Sequence, residues 1–413
     1  MDKKIKVLWM GAGYFTDKKP DATGTWSHSM ANELVKSGEI ELYNITQSAV
    51  KSTLREDFSS ITQWVIPSSK LNRSGLPSKS IIRDIVKITA EVKPDIIHIW
   101  GVESFWGLLK ARNLISGKVI LEIQGLKSEI HKYFYTALTY KDIIASFGLR
   151  ELIKSSDSII SQKRSFKRWG KFEKEIIRNH FFITTQSDWV RSHIRNINKD
   201  AKLYETKMLL REEFKNAEKW NYDSCIPYSL FTTFSSIVSY KGLHVLIDAI
   251  AILKKDFPSI KLNIAGSTGR QGILGYGYYN WIKKRINKLG IKESVNWLGP
   301  LKADEIVKNL RDANVNVIPS FVESYCMALD EAIHVGTPTV ASFAGAMPEL
   351  GKHKETVYYF QSGDPIMCAD AIASFFKNRA FSENVSENAY KSRSANSDKC
   401  SLQLEIYRDV LNK

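Results

Sequence analysis

The chain has 413 residues, and its composition is that of a folded, basic protein. Hydrophobic residues make up 43% of it and aromatic residues 11%, which excludes a largely disordered chain. This length exceeds one ordinary hydrophobic core and suits two domains of about 200 residues each. The formal net charge of +15 indicates phosphate-bearing partners, without choosing among nucleic acid, an anionic membrane and a nucleotide.

Signals of secretion or membrane insertion are missing from the sequence. No run of about 18 apolar residues occurs, and the apolar run Ile5–Met10 is too short for the core of a secretory signal. The four cysteines form no CxxC pair and have no neighbouring histidine cluster, so we interpret them as free thiols in a reducing compartment. They are Cys225, Cys326, Cys368 and Cys400. We therefore predict a cytoplasmic protein.

Short apolar runs alternate with helical patterns through the first half of the chain. Such alternation is typical of βαβ units, in which helices cover both faces of a parallel sheet. The predicted elements are a strand at Ile5–Met10, a helix from Trp26 to Ser37, and strands at Asp95–Trp100, Lys118–Ile123 and Phe181–Thr185.

A second series of the same kind follows a polar interval. Glycines end several of its strands and helices, as expected for tight turns that bring backbone close to a ligand. Its elements are strands at Tyr228–Ile237, Lys261–Ala265, Val295–Leu298, Asn314–Pro319 and Thr339–Ser342, and helices at Lys241–Asp256, Tyr278–Leu289, Ala303–Arg311 and Ser324–Val335.

These patterns predict an α/β protein with two Rossmann-like, doubly wound domains that face each other across a cleft. We place the N-terminal domain at 1–215 and the C-terminal domain at 222–390. The remaining segment, 391–413, is predicted to form a helix that returns to the N-terminal domain. The carboxyl ends of the strands would line the cleft, which is where open α/β sheets bind ligands.

The most specific run in the sequence is Pro319–Glu349. Glu323 lies in the predicted loop after a strand, and Glu331 follows eight positions later inside the next helix. The N-terminus of that helix offers amide groups to a diphosphate, and a nearby carboxylate can accept hydrogen bonds from ribose hydroxyls.

This run resembles the E-x7-E motif of the retaining glycosyltransferases of family 4, which have the GT-B fold. It also resembles their GTP-x-VAS strand and their G-G-x-P-E loop, here Gly345–Glu349 with Ala346 in place of the second glycine. Upstream, Lys241-Gly242 resembles the K-G pair of the family. Further similar stretches are Leu262–Gly266, Val295–Gly299, Gly11–Gly13, Gly24 and Pro94–His98. Gln186–Phe214 is similar to a subgroup found among bacterial surface-polysaccharide enzymes.

The resemblance implies transfer of a sugar from a nucleotide diphosphate sugar to a glycan or lipid-linked acceptor, with retention and without a metal or cofactor. Glu323 would hold the donor sugar, Lys241 would neutralise the departing diphosphate, and Glu331 would bind the ribose. The remaining donor-side residues are Gly345, Ala346, Tyr325, Cys326, Gly266 and Arg270. The residues predicted on the acceptor or sugar side are Gly13, Gly24, His28, His98 and Gln124. No D-x-D motif, the usual carboxylate pair for a divalent ion, occurs in the sequence.

Two positions depart from the family pattern. Ser236 stands where the family usually has an arginine that contacts the diphosphate, and Gln124 stands where many members have a histidine. Arg270 is a candidate replacement for the missing arginine, its alternative being a solvated loop residue. His98 has the alternative of a structural residue at the end of a buried strand.

The segment Ser161–Arg178 is strongly basic, with seven Lys or Arg residues against two Glu and with Phe166, Trp169 and Phe172 interleaved. It suits the surface of an anionic membrane, which would make the protein peripheral on the inner membrane face. The alternatives are single-stranded nucleic acid and a surface helix whose aromatic side chains lie in the core.

Two other functions remain open from the sequence. A sugar-nucleotide 2-epimerase uses the same two-domain plan. A non-catalytic protein that binds membranes or nucleic acid would be consistent with the departures at Ser236 and Gln124.

Overall fold

The structure, a computed structural model, describes residues 4–16, 25–148, 151, 153, 158–268, 277–393 and 396–413. Of the predicted site residues, Gly24 and Arg270 lie outside the described residues. The chain forms two compact units: unit 1 comprises Met1–Ser128, Lys167–Arg211 and Ser394–Lys413, and unit 2 comprises Glu129–Phe166 and Glu212–Arg393.

Unit 1 is built on an eight-stranded sheet with the order β3-β4-β2-β1-β5-β6-β7-β8, in which only β3 runs antiparallel to its neighbour among the described strands. Its strands are β1 (Ile5–Met10), β2 (Ile40–Ser48), β3 (Leu54–Phe58), β4 (Ile61–Pro67), β5 (Ile96–Trp100), β6 (Val119–Glu122), β7 (Phe182–Thr185) and β8 (Lys202–Glu205). The helices that begin in the N-terminal part of the chain are α1 (Thr25–Lys36), α2 (Lys79–Val92), α3 (Trp106–Ala111), α4 (Lys127–Ile130), α5 (Tyr140–Ala145), α6 (Ile159–Arg178) and α7 (Asp188–Ile197).

The central strand β1 shows why this sheet is covered on both faces. Val7 and Trp9 belong to one buried cluster, whereas Leu8 and Met10 belong to another. Successive side chains of a strand point to opposite faces, so an uninterrupted apolar strand requires a helical layer on each side. The sequence-based prediction of a doubly wound sheet is confirmed.

Unit 2 contains a six-stranded sheet with the order β11-β10-β9-β12-β13-β14, and all of its described pairings are parallel. Its strands are β9 (Ile226–Ser236), β10 (Lys261–Ser267), β11 (Val295–Gly299), β12 (Ala313–Ile318), β13 (Thr339–Phe343) and β14 (Tyr358–Gln361). The later helices of the chain are α8 (Glu212–Lys215), α9 (Leu243–Leu253), α10 (Gly277–Lys288), α11 (Ala303–Asp312), α12 (Met327–Val335), α13 (Pro365–Lys377), α14 (Arg379–Lys391) and α15 (Asn396–Leu411).

The C-terminal helix α15 groups with unit 1. Its Tyr407 hydroxyl accepts a hydrogen bond of 3.0 Å from the Trp9 indole and lies 2.8 Å from Nδ1 of His98. Asp409 accepts a hydrogen bond of 2.6 Å from Tyr204 on β8. These contacts tie the last residues of the chain to β1, β5 and β8 of the first sheet.

The segment 129–166 belongs to unit 2, although the sequence analysis places it in an N-terminal domain spanning 1–215. Phe134 is buried in the core of unit 2, where its ring lies 5.1 Å from that of Phe166 and 5.1 Å from that of Tyr240. The Ser239 hydroxyl donates a 2.7 Å hydrogen bond to the Phe134 carbonyl. Aromatic burial and this hydrogen bond fix the segment to its unit, and neither can be read from the order of the elements.

Two helices begin later than the sequence predicts. Lys241 lies in a 3₁₀ turn, Ser239–Lys241, and α9 begins at Leu243. Likewise α12 begins at Met327 and not at Ser324. Eight of the eleven residues of α9 are buried, and this helix packs against α13. No helix within the described part of the chain combines the length and apolarity that a membrane crossing demands.

Candidate active site

The loops after two neighbouring strands of unit 2 bring a lysine and a glutamate together. β9 pairs with β12, and both strands end at the same edge of the parallel sheet. Lys241 follows β9, and Glu323 follows β12. The Lys241 ammonium donates hydrogen bonds of 2.7 and 2.9 Å to the two carboxylate oxygens of Glu323. This places both residues predicted to be catalytic in one part-buried ion pair.

Close backbone packing holds the two loops in this arrangement. Gly242 has φ +74°, and a Cβ at this position would lie 1.9 Å from the Pro319 carbonyl oxygen. Only glycine combines this conformation with so close an approach. The Phe321 amide also donates a 2.9 Å hydrogen bond to the Tyr240 carbonyl. The K-G pair is therefore a packing requirement for the loop that carries Glu323.

The loop after β13 also packs against the backbone of Glu323. Gly345 has φ +55°, and a Cβ here would lie 2.2 Å from the Glu323 carbonyl oxygen. The amide of Ala346 donates a 2.9 Å hydrogen bond to that same carbonyl. The Ala346 amide thus helps to position Glu323, and the contact of Ala346 with the donor stays a prediction.

The N-terminus of α12 lies next to the ion pair in the chain. Its N-cap residue is Cys326, which has φ +97° and provides no side-chain cap. A non-glycine residue in this left-handed conformation costs on the order of 1–3 kcal/mol, and such strain clusters at functional sites. The first amides of a helix have no intrahelical acceptor, which makes an uncapped N-terminus a site for an anion.

The Cys326 thiol lies within electrostatic reach of both predicted acids. Burial raises its pKa well above the ordinary value, and the carboxylates of Glu323 and Glu331 add to this while Lys241 opposes it. Glu331 lies in the second turn of α12 and is buried. The structure therefore brings Glu323, Glu331 and Lys241 around one helix N-terminus.

Lys241 keeps its charge in spite of burial. Burial lowers the pKa of its ammonium group, but the Glu323 carboxylate, with a smaller contribution from Tyr240, outweighs this and raises the pKa above the ordinary lysine value. A permanently charged ammonium at this position suits electrostatic stabilisation of a phosphate leaving group.

Two further donor-side residues have structural contacts. The Tyr325 hydroxyl donates a 2.7 Å hydrogen bond to the Asp330 carboxylate within α12. Gly266, the penultimate residue of β10, has φ +135°, and a Cβ there would lie 2.1 Å from the Phe234 carbonyl oxygen. This glycine permits close packing of β10 on β9.

The predicted acceptor-side residues lie in unit 1 in different environments. His98 is fully buried and contacts Tyr407, so of its two interpretations the structural one fits. His28 is half-buried against Phe15 with 4.6 Å between ring centroids, and burial lowers its pKa. The Gly13 carbonyl accepts a 2.9 Å hydrogen bond from Asn44.

Gln124 follows β6 next to a polar cluster that the sequence analysis missed. A Cβ on Gly101, after β5, would lie 2.5 Å from a Glu103 carboxylate oxygen and 3.7 Å from Gln124 Cδ. Burial raises the pKa of Glu103, and the Lys127 ammonium opposes the change. Glu103 follows a predicted strand. Because ligands of open α/β sheets bind at the carboxyl ends of strands, its position in the sequence could have indicated a site residue.

Glu173 on α6 completes this cluster. Its carboxylate accepts hydrogen bonds of 2.7 and 3.1 Å from the amides of Lys127 and Ser128 at the start of α4. Burial raises its pKa to about 7.

The aromatic residues of the basic helix α6 point into the protein. Phe166 packs against the core of unit 2, the Trp169 indole donates a 2.8 Å hydrogen bond to the Val102 carbonyl, and Phe172 packs against Gly75. Among the alternatives for this segment, the surface helix with aromatics in the core is the one observed. Its exposed cations are Arg164, Lys167, Arg168, Lys171, Lys174 and Arg178.

Cysteine and metal chemistry have little support in the described residues. All four cysteines are buried free thiols. Within the ranges that the structure describes, no group of three or more His, Cys, Asp and Glu residues is arranged to hold a metal ion.

A family model described as glycosyl transferases group 1 matches residues 226–392, a range that contains Lys241, Glu323 and Glu331. Residues 226–392 are a glycosyltransferase domain. D-inositol 3-phosphate glycosyltransferase of Corynebacterium efficiens is 30% identical to the chain over 137 residues, covering 33% of the chain and 31% of that protein. The chain thus spans about a third of the length of the curated relatives it matches.

Solved structures resemble the chain beyond the glycosyltransferase domain. Sucrose-phosphate synthase from Thermosynechococcus elongatus has a TM-score of 0.72 at 14% identity, covering 99% of this chain and 100% of that one. HepE of Anabaena in complex with UDP and glucose has a TM-score of 0.67 at 14% identity, again covering 99% and 100%. The glycosyltransferase domain therefore belongs to a chain with the GT-B fold, as the sequence predicts.

Proposed function

We propose that the chain is a retaining, metal-independent glycosyltransferase of the family 4 type. It would transfer a sugar from a nucleotide diphosphate sugar to a glycan or lipid-linked oligosaccharide in the synthesis of bacterial surface polysaccharide. The observation that carries the proposal is the Lys241–Glu323 ion pair beside the N-terminus of α12, within residues that match a glycosyltransferase model.

A uridine nucleotide is the donor that the comparisons favour. HepE has been solved with UDP-glucose, and its fold resembles that of this chain. Glu331 is the candidate ligand for the ribose. It lies within α12, and its carboxylate, like that of Glu323, raises the pKa of the Cys326 thiol at the start of this helix. The diphosphate would then occupy the uncapped helix N-terminus and contact Lys241.

In the proposed reaction, the bond between the anomeric carbon and the diphosphate oxygen breaks while a bond to the acceptor oxygen forms on the same face. The nucleoside diphosphate leaves with developing negative charge, and one of its phosphate oxygens accepts the proton that the acceptor hydroxyl loses. Lys241 and the amides of α12 stabilise that charge, while Glu323 holds the donor sugar and stabilises positive charge at the anomeric carbon. The acceptor would be recognised by unit 1, where Gln124 and Glu103 lie at the ends of neighbouring strands.

The first test is a thermal-shift panel with UDP, GDP, ADP and their sugars, repeated in EDTA. A ligand at millimolar concentration with a micromolar dissociation constant stabilises the folded state by about 4 kcal/mol, so one nucleotide should stand out. We expect UDP and a UDP-sugar to stabilise the chain equally with and without EDTA. A shift that requires a divalent ion, or no shift with any nucleotide, would contradict the proposal.

Turnover of the stabilising donor separates the remaining functions. Release of UDP with an anomerically retained product is the transferase outcome, and conversion of the donor to its 2-epimer is the epimerase outcome. Binding with neither product would assign the chain to a non-catalytic role.

A further inference from the structure

The short helix α5, Tyr140–Ala145, carries large apolar side chains that face solvent. Tyr140, Ile144 and Phe147 are 79%, 58% and 37% exposed. Their spacing of four and three residues places them on one side of the helical turn. These three residues are called the outer face of α5 below.

The inner side of the same segment is already packed. Ile143 and Ser146 are buried, so α5 contacts unit 2 without using its outer face. The N-terminus of α5 is capped, because Thr139 and Asp142 form a capping box. The Phe147 amide donates a 3.0 Å hydrogen bond to the Ile144 carbonyl, which continues the turn and keeps Phe147 beside Ile144. The outward direction of the three side chains is thus fixed by the fold.

Cationic groups surround the outer face. Lys141, the second residue of α5, is exposed next to Tyr140. The Lys163 ammonium lies 3.7 Å from the centroid of the Tyr135 ring. Burial raises the pKa of the Tyr135 hydroxyl, the positive charge of Arg164 lowers it and Tyr140 raises it, so both side chains lie within electrostatic range of that hydroxyl. The end of α6 that carries Lys163 and Arg164 therefore adjoins the outer face.

Acidic groups near this surface have contacts of their own. The Asp142 carboxylate accepts hydrogen bonds from Thr139 and lies 3.9 Å from Arg285. Glu129 forms an ion pair of 2.5 Å with Lys132. These partners offset the two acids locally, whereas Lys141 is exposed on α5.

We infer that the outer face of α5 rests on an anionic lipid surface, with Tyr140, Ile144 and Phe147 entering the headgroup boundary and Lys141, Lys163 and Arg164 contacting lipid phosphates. Tyrosine and aliphatic side chains beside basic residues are the composition of interfacial membrane contacts. A stable protein interface needs roughly 800 Å² on each partner, far more than three side chains of one short helix offer. A small apolar contact can suffice on an anionic bilayer, because each nearby Lys or Arg adds to the binding free energy.

This inference goes beyond the proposed function, because it names a partner and a surface that donor chemistry does not require. It also differs from membrane contact through the aromatics of α6, which are packed inside the protein. An enzyme bound to the membrane in this way would be close to a lipid-linked acceptor in the same membrane.

The test is sedimentation of the full chain with vesicles of phosphatidylcholine alone and with about 30% phosphatidylglycerol, at physiological salt. We expect the parent chain to bind only the anionic vesicles. The variant Tyr140→Ser/Ile144→Ser/Phe147→Ser should lose at least about tenfold in partition coefficient. The control is Ile226→Ser, a side chain 53% exposed at the amino end of β9, whereas the segment that leads into α5 contacts Ser239 beyond the carboxyl end of that strand; it should bind as the parent does.

A second pair of variants tests the charge. Lys141→Gln/Arg164→Gln should reduce binding several-fold and weaken its dependence on salt. Lys255→Gln/Lys292→Gln removes two exposed cations in the connections that lead into β10 and β11 and should change binding less. Equal losses for the two pairs would show that net charge alone drives binding and would overturn the assignment to this face.

Other outcomes would also overturn it. Equal binding of the serine variant of the outer face and the parent excludes the apolar contact. Light scattering that shows a dimer in the parent and a monomer in that variant would give the face to a second copy of the chain. Each variant is first checked for the nucleotide-induced thermal shift of the parent. Absence of that shift in the parent contradicts the proposed function and leaves the vesicle result unaffected.

Discussion

The Lys241 ammonium lies 2.7 and 2.9 Å from the two carboxylate oxygens of Glu323, so each of these groups neutralises the other within the site. A donor diphosphate would compete with Glu323 for the ammonium. If Lys241 turns to the phosphates, Glu323 is released to contact the donor sugar. The two residues should therefore give opposite effects on nucleotide binding when they are changed one at a time.

Lys241→Ala removes the cation that faces the leaving group. We expect kcat/KM to fall by about 100- to 1,000-fold, the range found when a single stabilising donor is removed from an active site. UDP should also bind more weakly by isothermal titration calorimetry. Lys241→Arg, which keeps the charge, should recover part of both losses. Donor turnover by Lys241→Ala within threefold of the parent would show that the ammonium is not part of the site.

Glu323→Gln removes the carboxylate that pairs with Lys241 but keeps a side chain of similar size. UDP affinity should stay the same or increase, because the ammonium no longer has to leave an ion pair. Transfer should fall by at least about 100-fold, since the donor sugar loses a charged partner. Calorimetry with UDP and a turnover assay on the same preparation measure both effects. A parallel loss of affinity and turnover would indicate damage to the fold of the loop.

Glu331→Ala tests the ribose assignment. A carboxylate that accepts hydrogen bonds from ribose hydroxyls contributes about 1.5–3 kcal/mol, so UDP affinity should fall by about 10- to 100-fold. The variant should also lose most of the preference for UDP over 2′,3′-dideoxy-UDP. Glu349→Ala, at the end of the same motif, is the comparison and should keep that preference. An unchanged preference in Glu331→Ala would place the ribose elsewhere.

Much of the geometry of the candidate site could be predicted because most of its residues lie in one contiguous motif. Glu323, Glu331 and Gly345 fall within one strand–loop–helix–strand unit, where spacing along the chain fixes spacing at the sheet edge. The ion pair between Glu323 and Lys241 was not predictable. It joins positions 82 residues apart and depends on two loops packing backbone to backbone at Gly242.

Other features required the tertiary structure because they depend on burial. His98 follows the pattern of a site residue at a strand end, yet it is enclosed by Tyr407 from the far end of the chain. The aromatic residues of α6 are interleaved with basic residues in a way that suits a membrane surface, but their neighbours come from distant segments such as the loop at Val102. The membership of 129–166 in unit 2 likewise rests on Phe134 and Ser239, whose contact no local pattern reveals.

Gly242→Ala tests the packing that holds Glu323 in place. A Cβ would lie 1.9 Å from the Pro319 carbonyl oxygen, so the loop that carries Glu323 must move. We expect at least a tenfold loss in kcat/KM together with a lower melting temperature. Gly290→Ala is the matched control, because its φ of +68° is similar and a Cβ there would have no neighbour within 4 Å. It should lose only about 1 kcal/mol of stability from backbone strain and keep its activity.

The raised pKa of Glu173 leads us to predict that unit 1 loses stability as pH rises towards neutrality. Its pKa in the folded chain is raised by burial to about 7, above the ordinary glutamate value of about 4.5. Between these two values the folded state binds more protons than the unfolded state, so the free energy of unfolding falls as pH rises. The contribution of this single group is up to about 3 kcal/mol, present at acidic pH and lost as pH rises through 7.

Glu173→Gln should flatten that dependence, because the amide oxygen can accept a hydrogen bond but the side chain does not titrate. Urea unfolding at about pH 5 and pH 8, with hydrogen–deuterium exchange of unit 1 peptides to separate the two units, measures the change. Glu175→Gln is the control: Glu175 forms a two-point ion pair with Arg112, which lowers its pKa, so it titrates below this window. If the parent and Glu173→Gln lose stability equally between the two pH values, Glu173 is ionised throughout and its burial is compensated by the amides of Lys127 and Ser128.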